Sequence, residues 1–174
     1  MKIIALLGEG SSGKSMSLKY LIEYTGKVLE TFDSNRSFLF DCPRMNCSTY
    51  VDTTTWNKFL SVLRNEERPN YTKNIQDVFT KIYWNGKTVG IFTIGDSRND
   101  LQRKLNLLRE CDIVVCPTRD KLDMIDFLLS KATDGLLIIH KTKLSRILPK
   151  QDLVIESQNV GKKLFVELTR EIYR

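Results

Sequence analysis

Eight consecutive residues, Gly8-Glu9-Gly10-Ser11-Ser12-Gly13-Lys14-Ser15, constrain this 174-residue chain more than any other stretch of it. They fit the pattern G-x-x-x-x-G-K-[ST] in full. They stand between a continuous apolar run, Lys2 to Leu7, and a segment with helical spacing at Met16, Leu18, Leu21 and Ile22. In a strand–loop–helix of this kind the backbone N–H groups of the loop converge, and the helix N-terminus adds the positive end of its dipole. Gly8, Gly10 and Gly13 let the backbone close round an anion without Cβ clashes, and Ser11 and Ser12 complete the cradle. Lys14 is spaced to reach the outer phosphates of a polyphosphate, and the Ser15 hydroxyl to bind Mg²⁺. The helix is expected to end at Gly26.

The remaining elements follow from periodicity and turn chemistry. Ser37 to Asp41 reads as a short strand closed by Cys42-Pro43, and Thr53 as the cap of a helix carrying Trp56, Phe59, Leu60 and Leu63. Val78 to Trp84 and Lys87 to Ile94 flank Asn85-Gly86, the dipeptide suited to a type I′ turn, and so form a hairpin. A helix bearing Leu101, Leu105, Leu107 and Leu108 leads to a strand at Asp112 to Cys116, expected to break at Pro117. A helix over Leu122 to Ala132, a strand over Leu136 to His140 and a closing helix with Val154, Leu164, Phe165, Leu168 and Ile172 complete the order. Strands alternating with helices predict an α/β domain spanning 1–174: a doubly wound, mostly parallel sheet with helices on both faces and one antiparallel hairpin strand.

Composition narrows the class. Apolar residues make up 41% and charged residues 28%, the balance of an ordinary globular domain, and no apolar run approaches the length of a membrane span. The run before Gly8 is too short for a secretory leader, so a cytoplasmic location is expected, with Cys42, Cys47, Cys111 and Cys116 as free thiols rather than a zinc site. Basic residues number 27 against 21 acidic, and residues 141–174 carry 8 basic and 4 acidic side chains. Interleaving with Asp152, Glu156, Glu167 and Glu171 makes this a solvated face more readily than a nucleic-acid stripe, so no nucleic-acid partner is favoured.

On the loop and its flanking elements, the chain resembles the P-loop NTPase superfamily, whose Walker A motif residues 8–15 match. The resemblance implies bound ATP and Mg²⁺, with an acid at another strand end completing the metal shell. Asp96, after the run Val89 to Gly95, is the candidate for that acid; its other reading is the cap of the helix that begins near Ser97. Ser97 stands where many ATPases carry a catalytic glutamate, and Glu9 stands where the partition-type ATPases carry a lysine. Asp96-Ser97-Arg98-Asn99 lacks the glycine of the GTPase switch, and Thr118-Arg119-Asp120-Lys121 puts lysine where the guanine-reading motif has aspartate. Adenine is therefore the expected base.

In element order the chain is closest to small P-loop kinases and GTPase-like domains. In such kinases an acid at the end of the second strand contacts the phosphate acceptor, and Phe38-Leu39-Phe40-Asp41 with Cys42-Pro43-Arg44 resembles that arrangement. Asp41 is then a candidate to orient or deprotonate a small-molecule acceptor and Arg44 to clamp an anion, or Asp41 merely opens a turn. Residues 119 to 134 hold only Arg119, Lys121 and Lys131, without the arginine-rich lid of the kinases. His140, a lone histidine, reads as a structural or surface residue, and Lys141, Lys143, Arg146 and Lys150 as a loop that lines the nucleotide site, a partner surface or solvent. The expected activity is hydrolysis or transfer of the γ-phosphate of ATP, with Lys14, Asp41 and Asp96 in catalytic roles. The alternative is a nucleotide-dependent switch acting on a protein or nucleic-acid partner.

Overall fold

Strand and helix propensities resolve into seven strands and four helices in a computed structural model that describes residues 1–32, 38–41, 50–51, 79–93, 95, 97–142 and 150–174. Backbone alone is described for 26–32, 38–41, 50–51 and 150. The strands are β1 (Lys2–Leu7), β2 (Phe38–Asp41), β3 (Tyr50–Val51), β4 (Phe79–Trp84), β5 (Lys87–Phe92), β6 (Ile113–Thr118) and β7 (Leu136–His140). The helices are α1 (Lys14–Phe32), α2 (Arg98–Leu107), α3 (Leu122–Lys131) and α4 (Lys150–Ile172). The expected helix near Thr53, with Trp56, lies outside the described residues, as do Arg44, Cys42, Cys47, Lys143 and Arg146.

All strands join one sheet in the order β3-β2-β4-β5-β6-β1-β7. The pairs β5/β6, β6/β1 and β1/β7 are parallel, whereas β4/β5, β2/β4 and β3/β2 are antiparallel. The sheet is thus a four-stranded parallel block with a three-stranded antiparallel extension, and the expectation of a single antiparallel strand is corrected. The Asn85-Gly86 turn causes the first reversal: both residues have positive φ, 48° and 77°, as a type I′ turn demands. The short β2 then pairs with β4 rather than entering the parallel block.

Alternation along the strands feeds two cores. Ile4 and Leu6 of β1 pack with Leu18, Leu21 and Ile22 of α1 and Leu164, Leu168 and Ile172 of α4. Ile3 and Ala5 face the other way, to Leu101 and Leu105 of α2 and Met124, Phe127 and Leu128 of α3. Helices therefore cover both faces, as a doubly wound sheet requires. Trp84 closes the first core from the hairpin, stacked on Phe165 at 5.9 Å between ring centroids.

Two expected boundaries move. Helix α1 continues past Gly26 to Phe32, because a helical glycine costs only about 1 kcal/mol and Lys27, Leu29 and Glu30 are good helix formers. Strand β6 runs through Pro117. Its ladder with β5 ends at Val115, and Thr118 O accepts from Gly8 N on the β1 side, so the N–H that Pro117 lacks falls on the side where β5 pairing has ceased. Among the described residues, no helix is long and apolar enough to cross a membrane.

Candidate functional site

Four strand ends meet at the loop. Gly8 N donates to Thr118 O at the end of β6 at 3.2 Å, and Lys141 N, just beyond β7, donates to Leu7 O at 2.7 Å. The Ser15 hydroxyl donates to Thr93 O, just beyond β5, at 3.0 Å. The loop is thereby pinned at the C-terminal edge of the parallel block, the edge at which open α/β sheets bind ligands.

Within the loop the backbone is demanding at two glycines. A Cβ on Gly8 would lie 2.7 Å from Lys141 O and 2.9 Å from Ser12 Oγ. Gly13 has φ +82°, and a Cβ there would lie 3.1 Å from Ser157 Oγ and 3.2 Å from Lys141 Cε. Gly10 is different: a Cβ there meets nothing within 4 Å, so no neighbour among the described residues accounts for this glycine. Ser11, not a glycine, takes the other left-handed position, at φ 58°.

Lys14 curls back across the loop. Its ammonium donates to Gly8 O at 2.9 Å and Glu9 O at 2.7 Å, and the residue is only 6% exposed. Helix α1 begins at this residue without an acid in its first turn, so nothing on the helix itself offsets the positive end of its dipole. One buried hydroxyl of the loop, Ser12 Oγ, has no hydrogen-bond partner among the described residues. Buried polar atoms are rarely left so, and this one, in a loop with a lysine and a helix N-terminus, fits an anionic ligand. The Ser15 oxygen donates its proton to a carbonyl and keeps lone pairs for a hard cation.

No protein-family model, curated protein or solved structure matches the chain.

The other expected site residues are distributed unevenly. Asp96 lies outside the described residues, but its neighbours are fixed: Thr93 touches Ser15, and Gly95 packs so tightly on β6 that a Cβ would lie 2.0 Å from Pro117 O. The cap alternative for Asp96 is answered by Ser97, the N-cap of α2, whose side chain accepts from Asp100 N at 3.1 Å. Asp41 ends β2, with β4, β5 and β6 between it and β1. At the usual strand spacing this sets its backbone about 19 Å to the side of β1. His140 is exposed at the end of β7.

Cys111 and Cys116 are free and buried. Burial pushes the Cys116 thiol up to about 12 and the Cys111 thiol to about 11, so neither supplies a thiolate at neutral pH. No group of three metal-ligating side chains occurs among the described residues.

Sequence reasoning placed Lys141 in a loop lining the site, a partner surface or solvent, and missed Ser157 and Thr93. Lys141 and Ser157 line the wall behind Gly13, and Thr93 accepts from Ser15. One signal was available: Ser157 and Gly161 are small residues four apart on α4, the spacing by which one helix face admits a close neighbour.

Proposed function

We propose that the chain binds Mg²⁺–ATP at loop 8–15 and cleaves the γ-phosphate, in the manner of the P-loop NTPases its Walker A sequence resembles. The observation that carries this reading is the 3.0 Å hydrogen bond from Ser15 Oγ to Thr93 O. It joins the hydroxyl expected to bind the metal to the strand end that leads, three residues later, to the expected metal acid Asp96. Ser15 and Thr93 lie far apart in sequence and meet at this edge of the sheet.

In this reading Lys14 exchanges the Gly8 and Glu9 carbonyls for phosphate oxygens, a charge-assisted contact stronger than the one it leaves. The N–H groups of the loop and of the first turn of α1 take the remaining phosphate charge. Mg²⁺, when bound, neutralises charge on the outer phosphates and holds them in line for displacement. The Ser12 hydroxyl donates to an oxygen at the edge of the site. Adenine is the proposed base because the residues after β6 lack the guanine-reading pattern. The lateral distance of Asp41 favours water, or a partner large enough to span that gap, over a small acceptor activated by Asp41.

The test is titration calorimetry with Mg²⁺–ATP, alongside an ADP-release assay run with and without a panel of hydroxyl and phosphate acceptors. Binding by the wild type, weakened by about 1.5–3 kcal/mol in Lys14→Ala, is the expected result. Equal affinity in the two proteins overturns the assignment. Tight binding without turnover, with or without acceptors, replaces the hydrolase with the nucleotide-dependent switch.

A further inference from the structure

A lysine just past a strand end ordinarily runs its ammonium out to water. Lys141 does the reverse, and its side chain is fully buried. Its ammonium pairs with the Glu156 carboxylate of α4 and lies 3.5 Å from Ser157 Oγ. Its carbonyl backs Gly8, while Cε and Nζ stand 3.2 and 3.7 Å from the position of a Cβ on Gly13. One residue thus walls both glycines that shape the loop, the first with its main chain and the second with its charged tip.

Packing alone does not call for this charge. A methionine or leucine would fill the wall without the desolvation penalty of an ammonium. The pair is also asymmetric: the cation is wholly enclosed beside the loop, whereas Glu156 remains 24% exposed and is screened by water. The field on the loop side of the pair is therefore positive, at the back of a site that already carries Lys14 and a helix N-terminus.

We propose that Lys141 is a second cation of the phosphate site. It is a positioning residue acting through the Gly13 backbone, and Glu156 sets its strength by competing with the bound polyphosphate for its charge. The inference rests on the reading of loop 8–15 as a polyphosphate site. It adds that α4 senses occupancy: an anion in the loop draws the ammonium toward Gly13 and loosens its hold on Glu156.

The sign of one substitution separates this from a mere brace. Glu156→Gln keeps an acceptor for the ammonium but removes the countercharge. Tripolyphosphate, a probe without base or sugar, is titrated into the full chain at low and high salt, as is Mg²⁺–ATP. Glu156→Gln is expected to bind tripolyphosphate about tenfold more tightly than wild type, with a steeper salt dependence, and Lys141→Met about tenfold more weakly. In the double variant the Glu156→Gln gain should vanish, since the cation it releases is gone. Unchanged or weaker binding in Glu156→Gln overturns the proposal while leaving the loop reading intact. Failure of the wild type to bind either probe removes both together. Should Lys141→Met not fold, the sign of the Glu156→Gln effect decides alone.

Discussion

Gly161 lies in the middle of α4, where intrinsic propensity alone favours alanine by about 1 kcal/mol. The structure predicts the opposite outcome for Gly161→Ala. An added Cβ would stand 2.7 Å from Tyr20 Cβ, 2.9 Å from Ser17 O and 3.3 Å from Leu21 N. Two of these are main-chain atoms and the third is a Cβ, so no side-chain rotation relieves the contact. Helices α1 and α4 must separate by several tenths of an ångström, loosening Leu18 and Leu21 against Leu164 and Leu168. Overpacking of this kind costs about 1–3 kcal/mol, and with backbone as the obstacle the upper part of that range applies. Subtracting the propensity gain leaves a net loss of about 1–2 kcal/mol, or about 2–8 °C in Tm for a chain of this size. Thermal and urea unfolding, read from tryptophan fluorescence, measure it. A Gly161→Ala protein as stable as wild type, or more so, would refute the close helix contact and with it the placement of Ser157 behind Gly13.

Asp96→Asn is expected to abolish most of the Mg²⁺ dependence of turnover while leaving the unfolding free energy within about 0.5 kcal/mol of wild type, because Ser97 already caps α2; a large stability loss with activity retained would return Asp96 to a structural role. The buried thiols give a pH prediction. A thiol whose pKa is raised by folding favours the folded state only while protonated, so stability holds below the ordinary thiol range and falls as pH climbs toward the values of about 11 and 12 for Cys111 and Cys116. Iodoacetamide labelling followed by mass spectrometry at pH 8 should leave both unmodified until denaturant is added, and rapid native labelling of Cys116 would contradict its burial.

Local chemistry made much of this fold legible. The apolar run at Lys2–Leu7, the glycines of the loop, the Asn85-Gly86 turn and the leucine spacing of α2 each act over a few residues, so their outcomes follow from nearby sequence. Strand order does not. Nothing within Ile113–Thr118 states that it will lie between β1 and β5, and that insertion is what brings Thr118 beside Gly8. Pro117 misled for the same reason: whether a missing N–H ends a strand depends on what remains to be paired around it. At the site, residues 8–15 were visible as a motif. Lys141 was legible only as one basic residue of a loop that lines the site, a partner surface or solvent, because a lysine after a strand is commonplace until its neighbours show that it points inward.

The central position of β1 bears on when the chain can assemble. Its ladder partners are residues 113–118 on one side and 136–140 on the other, and Lys2 makes its ion pair with Glu171 at 2.6 Å. An early-made strand therefore stays unsatisfied while more than a hundred further residues are translated, a delay on the order of ten seconds at cellular elongation rates. Topologies so dominated by distant pairings fold slowly, and the apolar run Ile3–Leu7 is exposed to chaperones and to aggregation throughout that interval. Loop 8–15, walled by Lys141 and Ser157, acquires its surroundings only after residue 157 has left the ribosome.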